Sequence, residues 1–366
     1  MKLGKIISII LFIISLMLVF QFNSIANLVT QNNFKIESEV TFNSNSDFEN
    51  RATLVTTSKS YVVLDKNVIE MYDSKGTPIW SKPLSSQNTV IASGNKRIAV
   101  AEKKAGDIFI LDEYGEIQAS LLGIGALANI KLFEDQILGV VKADGVLNLY
   151  DEKLNLLGMT KLPSGEMVDF DVNIEKQDII MGILDLSRTD FNSKLVIAGF
   201  NGNIISGSNL IQDVILDIIQ MKNAFWVVTD NAIRIYDYDS NLLNEVVLDR
   251  LINNIYYDAN LDTLYLQLMN DASQLDNPKS KHTLVSYNAE GNLIYDVDLN
   301  IDDCKGLKRF NDYLCLYNNE ELYFIDDAGH IAERYRGEDE IKDVLLTHSN
   351  TFGIVYDNRM SIYTAK

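Results

Sequence analysis

The chain has 366 residues, 47% of them hydrophobic and 23% charged, with four prolines and a formal net charge of −19. That apolar content supports a large core and excludes a disordered chain. Scarce proline excludes long proline-rich linkers, and the negative charge excludes sequence-independent binding to DNA or RNA, which needs clustered Lys and Arg against phosphate.

The first element is an apolar run from Ile6 to Phe20, preceded by Lys2 and Lys5, with no further charge until Lys35. A membrane-spanning helix needs about 20 predominantly apolar residues, and the run reaches that length by including Gln21 to Ile25. Positive charge before the run and none just after it predicts an N-terminus inside and the remainder outside the cytoplasmic membrane. A cleaved signal peptide is the alternative, because Ser24-Ile25-Ala26 offers small residues at a peptidase spacing. Residues 1–29 are therefore read as a membrane anchor or signal peptide and 30–35 as a linker. Residues 36–366 form one repeat domain, beginning with an alternating strand near Ile36–Phe42.

From there the chain repeats itself. The segments Ile69–Trp80, Ile108–Gln118, Leu147–Leu157, Val196–Ile205, Ile233–Leu243, Leu284–Ile294 and Leu322–Ile331 share one pattern. In each an apolar strand runs into a turn of Asp, Asn and Gly, and a second strand follows. Tyr72, Leu111, Tyr150, Phe200, Tyr236, Tyr287 and Ile325 mark the repeat at intervals of roughly 40 residues, the length of one four-stranded propeller blade. Another apolar strand lies upstream of each hairpin, such as Arg97–Ala101 or Phe225–Thr229, and a looser one precedes that. This predicts an A–B–C–D order in each blade.

The chain ends with Ile341–Thr347, Phe352–Tyr356 and Met360–Thr364, strands A, B and C of a blade that lacks D. The strand near Ile36–Phe42 is expected to supply it, because closure removes an exposed strand edge. The predicted fold is all-β: an eight-bladed β-propeller of four-stranded antiparallel blades, preceded by one N-terminal transmembrane or signal helix. Seven blades with an irregular terminal segment is the alternative.

Asp73, Asp112, Asp151, Asp237 and Asp326 are read as turn residues, since Asp and Asn side chains cap a reversing backbone. The Asp237-Tyr238-Asp239-Ser240-Asn241 run starts like a calcium loop but lacks its glycine and distal glutamate. The only cysteines, Cys304 and Cys315, and the three histidines, His282, His330 and His348, are too dispersed for a metal-ligand pattern. No metal or cofactor is expected, and the histidines are read as ordinary surface or edge residues. The thiols are read as two buried apolar groups, with a disulfide as the alternative. No nucleophile–base arrangement or phosphate-cradling motif is present. Asp169-Phe170-Asp171 falls on an expected innermost strand. Trp80 and Trp226 are read as packing between blades.

Two long insertions, Leu186–Ser193 and Asn270–Lys281, are both B–C connections and are expected on one face. Arg188, Asp190, Phe191, Asp276, Lys279 and Lys281 within them are the candidate binding residues, because long loops on a regular scaffold are where binding tends to reside.

The hairpin Tyr72–Trp80 (YDSKGTPIW) resembles the repeat of quinoprotein-type propellers, in which Asp, Gly and Trp recur at this spacing. Later hairpins replace the Trp, and two tryptophans in the whole chain set it apart from quinone-dependent dehydrogenases. In layout and composition the chain is similar to an uncharacterised family of single-pass, membrane-anchored propellers of clostridia and related Gram-positive bacteria. That resemblance implies fold and location and no activity. The expected function is a noncatalytic, extracytoplasmic scaffold that meets a protein or a cell-envelope polymer. The alternative is an extracellular glycan- or peptide-degrading hydrolase or lyase with carboxylates in the central channel, and a quinone-dependent dehydrogenase comes last.

Overall fold

The computed structural model describes residues 34–42, 53–162, 165–185, 192–221, 223–269, 282–299, 301, 304–347 and 350–365. The expected N-terminal helix and linker, residues 1–33, lie outside them. Among the described residues no helix is long and apolar enough to cross a membrane.

The described chain is a succession of strands beginning with β1 (Phe34–Thr41). Blade I holds β2 (Thr53–Thr56), β3 (Ser60–Asp65), β4 (Val68–Asp73) and β5 (Pro78–Pro83). Blade II holds β6 (Thr89–Ser93), β7 (Ile98–Glu102), β8 (Ile108–Leu111) and β9 (Ile117–Leu121). Blade III holds β10 (Leu127–Phe133), β11 (Ile137–Lys142), β12 (Val146–Tyr150) and β13 (Leu156–Lys161). Blade IV holds β14 (Glu166–Asn173), β15 (Asp178–Asp185), β16 (Asn192–Gly199) and β17 (Ile204–Ile211). Blade V holds β18 (Ile215–Gln220), β19 (Phe225–Thr229), β20 (Ala232–Tyr236) and β21 (Leu242–Val247). Blade VI holds β22 (Leu251–Asp258), β23 (Thr263–Met269), β24 (His282–Asn288) and β25 (Leu293–Leu299). Blade VII holds β26 (Gly306–Phe310), β27 (Tyr313–Tyr317), β28 (Glu321–Ile325) and β29 (Ile331–Arg336). Blade VIII holds β30 (Asp343–Leu346), β31 (Thr351–Val355) and β32 (Arg359–Ala365).

Each sheet is a four-stranded antiparallel meander, and the eighth runs β30-β31-β32-β1. The eight-bladed propeller expected from the repeat is therefore the observed fold, and the seven-bladed alternative is not. Pairing of β1 with β32, from Phe34 opposite Ala365 to Thr41 opposite Arg359, supplies the fourth strand of the last blade.

The first strand of each blade is innermost. Strand β2 packs on β6 and on β30, β6 on β10, β14 on β18, and β26 on both β22 and β30. Strands B and C are buried on both faces by neighbouring blades, which is why β3, β19 and β31 are buried along their whole length. The core is correspondingly a series of layers between blades. Val62, Leu64, Ile69 and Met71 of blade I meet Ile91, Ile98, Val100 and Leu111 of blade II. Trp226 lies wholly buried in the layer between blades V and VI, as expected of a packing residue. Cys304 and Cys315 are free and buried, in the layers on either side of blade VII.

The C–D turns are as regular as their sequences suggest. Asp112 Oδ1 accepts the backbone N–H of Tyr114 and of Glu116, both at 2.9 Å. Asp73, Asp151, Asp237, Asn288 and Asp326 accept the same two N–H groups of their own turns. The fourth turn residue takes positive φ. It is Gly115 (φ 77) in blade II, while Leu154 (φ 63) and Ser240 (φ 67) adopt the conformation despite a side chain. One repeat marker needs correcting. In blade IV the residue before the turn is Ala198, paired with Ile204; Gly199 stands where other blades have Asp or Asn, and Phe200 lies within the turn.

Candidate functional site at the central channel

The A–B and C–D connections share one face of the disc, and the B–C and D–A connections share the other. Arg188, Asp190, Phe191, Asp276, Lys279 and Lys281 lie outside the described residues. The strand ends that flank their loops, Asp185 with Asn192 and Met269 with His282, pair across β15–β16 and β23–β24 on the D–A face. Lys194 Nζ meets Asp185 Oδ2 at 2.7 Å there.

Each mouth of the central channel holds a cavity. On the A–B face about 630 Å³ is lined by Glu134, Glu175, Asp262, Asn173, Gln220 and Tyr257. On the D–A face about 570 Å³ is lined by Lys305, Lys308, Lys342, Asn254, Tyr317, Asp343 and Asp357. The mouths thus differ in character, one carrying only carboxylates among its charged groups and the other three ammonium groups beside two carboxylates. Those lysines are already paired: Lys342 with Glu340 (2.7 Å) and Asp357 (3.4 Å), Lys305 with Glu340 (3.6 Å), and Lys308 with Asp343 (2.8 Å).

Along the inner strands, two lysines make the same contact in blades half a turn of the ring apart. Lys131 of β10 reaches blade IV, where it pairs with Asp169 and donates to the Phe170 carbonyl at 3.1 Å. Lys308 of β26 reaches blade VIII, where it pairs with Asp343 and donates to the Val344 carbonyl. The registers agree. Lys131 faces Gly139 and Lys308 faces Cys315, each the third residue of its B strand. Asp169 faces Gly182 and Asp343 faces Val355, each the fifth.

The blade IV end carries more charge than its counterpart. Asp169 Oδ2 accepts the N–H of Ile218 and Asp171 Oδ2 the N–H of Gln220, both at 3.0 Å, so carboxylates on alternate residues of β14 bind alternate amides of β18. Asp217 Oδ1 of β18 accepts the same Ile218 N–H at 2.9 Å, which brings it beside the Asp169 carboxyl. Burial pushes Asp171 up to about 6, and burial with the neighbouring Asp169 pushes Asp217 up to about 7. These are the groups with which the channel could hold a proton or polarise a ligand. Among the described residues no three His, Cys, Asp or Glu are arranged to hold a metal ion.

Asp169 and Asp171 lie on an innermost strand as their sequence context suggests. Lys131, Asp217, Lys308 and Asp343 escape a reading made one hairpin at a time. A usable signal is the near-repeat of Ile130-Lys131-Leu132-Phe133 by Leu307-Lys308-Arg309-Phe310. His282 departs from expectation: it opens β24 but is buried, because that strand is covered on both faces of its sheet. His330 is exposed beside its turn, and His348 lies outside the described residues.

Fold and channel together define an eight-bladed propeller whose inner strands are tied blade to blade by side chains. Over residues 29–364 the chain matches the family of unknown function DUF5711, and it belongs to that family. None of the curated proteins matches it. Among solved structures it is similar to BamB from Moraxella catarrhalis, with a TM-score of 0.59 and 8% identity over 90% of this chain and 99% of that one. It is also similar to the C-terminal WD40 domain of Sif2, with a TM-score of 0.67 and 11% identity over 92% and 99%. At these identities the likeness is one of fold alone.

Proposed function

We propose that this chain is a noncatalytic scaffold, tethered outside the cytoplasmic membrane by its N-terminal apolar run, that presents its D–A face to a protein or cell-envelope polymer. The observation that carries the reading is the occupation of the channel's polar groups. Asp169, Asp171 and Asp343 accept backbone amides or lysine ammonium groups from neighbouring blades, which is ring construction rather than catalysis. The connections free to vary, including both long loops, leave on the D–A face, where a rigid scaffold can change its contacts without disturbing its core.

The test pairs two preparations: the native chain, and one with residues 186–191 and 270–281 replaced by short turns. Loop replacement should leave folding intact and abolish cross-linking to an envelope component in intact cells, while neither preparation cleaves a panel of glycans and peptides. External protease should digest the propeller in whole cells. Cleavage of a glycan by the native chain would overturn the reading. The raised Asp171 and Asp217 favour a second reading, a channel hydrolase or lyase; cleavage lost in Asp217→Asn would establish it.

A further inference from the structure

Among the described residues, the outermost strand of each blade pairs on one side only and leaves a backbone edge open. Charge or proline on such an edge discourages pairing with another chain. Strand β1, eight residues long, carries Lys35, Glu37 and Glu39, and β5, β13, β21, β25 and β29 each carry at least one charged residue. Strand β17 of blade IV is also eight residues long, and its sequence, IISGSNLI, has neither charge nor proline. The other uncharged outer strand, β9, has five residues.

The two faces of β17 differ. Ser206 meets Ser240 of blade V, and Leu210 is buried in the layer between blades IV and V, so that face is used within the ring. The other face is open and symmetric about Ser208. Gly207 and Asn209 flank Ser208, and beyond them Ile205 and Ile211 are 57% and 75% exposed. Two antiparallel copies of a strand related by a two-fold axis set one residue opposite itself, and residues equally distant from it face each other. With Ser208 on the axis, Ile205 of one copy faces Ile211 of the other, and Gly207 faces Asn209. Exposed isoleucines then cover one another in cross-strand pairs.

We propose that β17 is the contact edge for a second copy of this chain, joining blade IV of both molecules into one continuous antiparallel sheet. Outward backbone N–H and C=O groups of the two edges supply the hydrogen bonds. Charge selects the place. At a formal net charge of −19 two copies repel over most of their surfaces. Self-pairing therefore needs a stretch that is long and uncharged on both partners, and β17 meets that need on both because it is the same strand. The inference goes beyond the scaffold reading and does not depend on it.

Sedimentation of the full chain in density-matched detergent micelles tests it. The native chain should dimerise reversibly as its concentration rises. Ser208→Lys sets two ammonium groups opposite each other at the axis and should weaken the dimer by at least on the order of tenfold. Met159→Lys places the same charge at an exposed position of β13 and should leave the dimer unchanged. A native chain that stays monomeric, or a dimer equally strong in Ser208→Lys, would overturn the proposal. If Ser208→Lys does not fold, cross-linking decides, because Cys304 and Cys315 are buried and leave the surface free of thiols among the described residues. Ser208→Cys should link two copies on mild oxidation and Met159→Cys should not. A dimeric chain in which Ser208→Cys fails to cross-link sinks the shared edge.

Discussion

Phe34, at the start of the closing strand, stacks on Phe324 of blade VII with ring centroids 5.0 Å apart and planes inclined by 29°. It also meets Phe352 edge-on at 5.3 Å, so one side chain pins the ring-closing strand to both blades of the last seam. Phe34→Ala should cost about 2 kcal/mol, below the range for a fully buried Phe because the ring is half-buried. The loss should be local, with amide exchange in β32 accelerated well beyond that in β15. Uniform acceleration across the ring, or an unchanged urea midpoint, would show that β1 closes the propeller without this contact.

Trp80 makes a second kind of link between blades. Its indole N–H donates to the Glu113 carbonyl at 3.1 Å in the next blade's turn. A Cβ on Gly115 would sit 2.8 Å from the indole Cδ2, at a backbone φ of 77. Gly115→Ala therefore combines left-handed strain with a clash against a ring and should cost about 2–3 kcal/mol. Trp80→Phe, which leaves an exposed carbonyl to water, should cost about 1 kcal/mol. In a double-mutant cycle with Trp80→Ala, part of the Gly115→Ala cost should vanish. Full additivity would mean that the two residues do not press on each other.

Asp112 shows how the repeated aspartates act. Beyond its two backbone acceptances it takes the Gln118 side-chain amide at 2.7 Å. Asp112→Asn keeps the Oδ1 acceptor, as Asn288 does in blade VI, and loses only the exposed Gln118 bond, so it should cost roughly 0.5 kcal/mol, whereas Asp112→Ala should cost about 1 kcal/mol. The Asp237 turn makes the same pattern, with Asn241 donating its side-chain amide to Asp237 Oδ2 at 2.9 Å. Added calcium should leave the melting temperature unchanged. A calcium-dependent rise lost in Asp237→Asn would contradict the structural role.

These turns explain why so much of the fold was legible. A hairpin needs its Asp or Asn acceptor and its positive φ within a few residues of one another, so the repeat is written locally, and strands buried on both faces appear as unbroken apolar runs such as Phe225–Thr229. Blade IV misled because Gly199 replaces the Asp that marks its counterparts, shifting the apparent marker to Phe200. The candidate channel site was harder to see. Lys131 finds its carboxylate 38 residues away and Asp171 its amide 49 residues away, and only the assembled ring brings them together. Trp80 and its turn are likewise 33 residues apart, which a hairpin-by-hairpin comparison cannot register.

The thiols offer a chemical check on packing around blade VII. Burial pushes both Cys304 and Cys315 up to about 12, so the reactive thiolate is scarce at neutral pH and sterically shielded. A thiol reagent should label neither cysteine in the folded protein and both after denaturation without reductant. Silence in both states would reveal a disulfide, and labelling of the folded protein would show that the seams beside blade VII open.

Lys131 and Lys308 allow the two clamps to be compared directly. Asp171 and Asp217 titrate higher in the folded chain than when unfolded, so between about pH 4 and 7 the folded state binds the extra protons. Their contribution to stability is full below the unfolded carboxylate range and is lost as pH rises through about 6 and then about 7. Among the described residues, Lys131 is the ammonium that faces that cluster, and Lys131→Met removes it. It should lower stability more at about pH 8 than at about pH 5, by roughly 1–2 kcal/mol after allowing for partial exposure. Lys308→Met leaves the single Asp343, which still accepts the Tyr317 hydroxyl at 2.7 Å, and should show a smaller loss with little pH dependence over the same range. Denaturant midpoints of the two variants at both pH values decide the matter. Matching pH profiles would mean that the surplus carboxylates at blade IV are relieved by solvent rather than by Lys131.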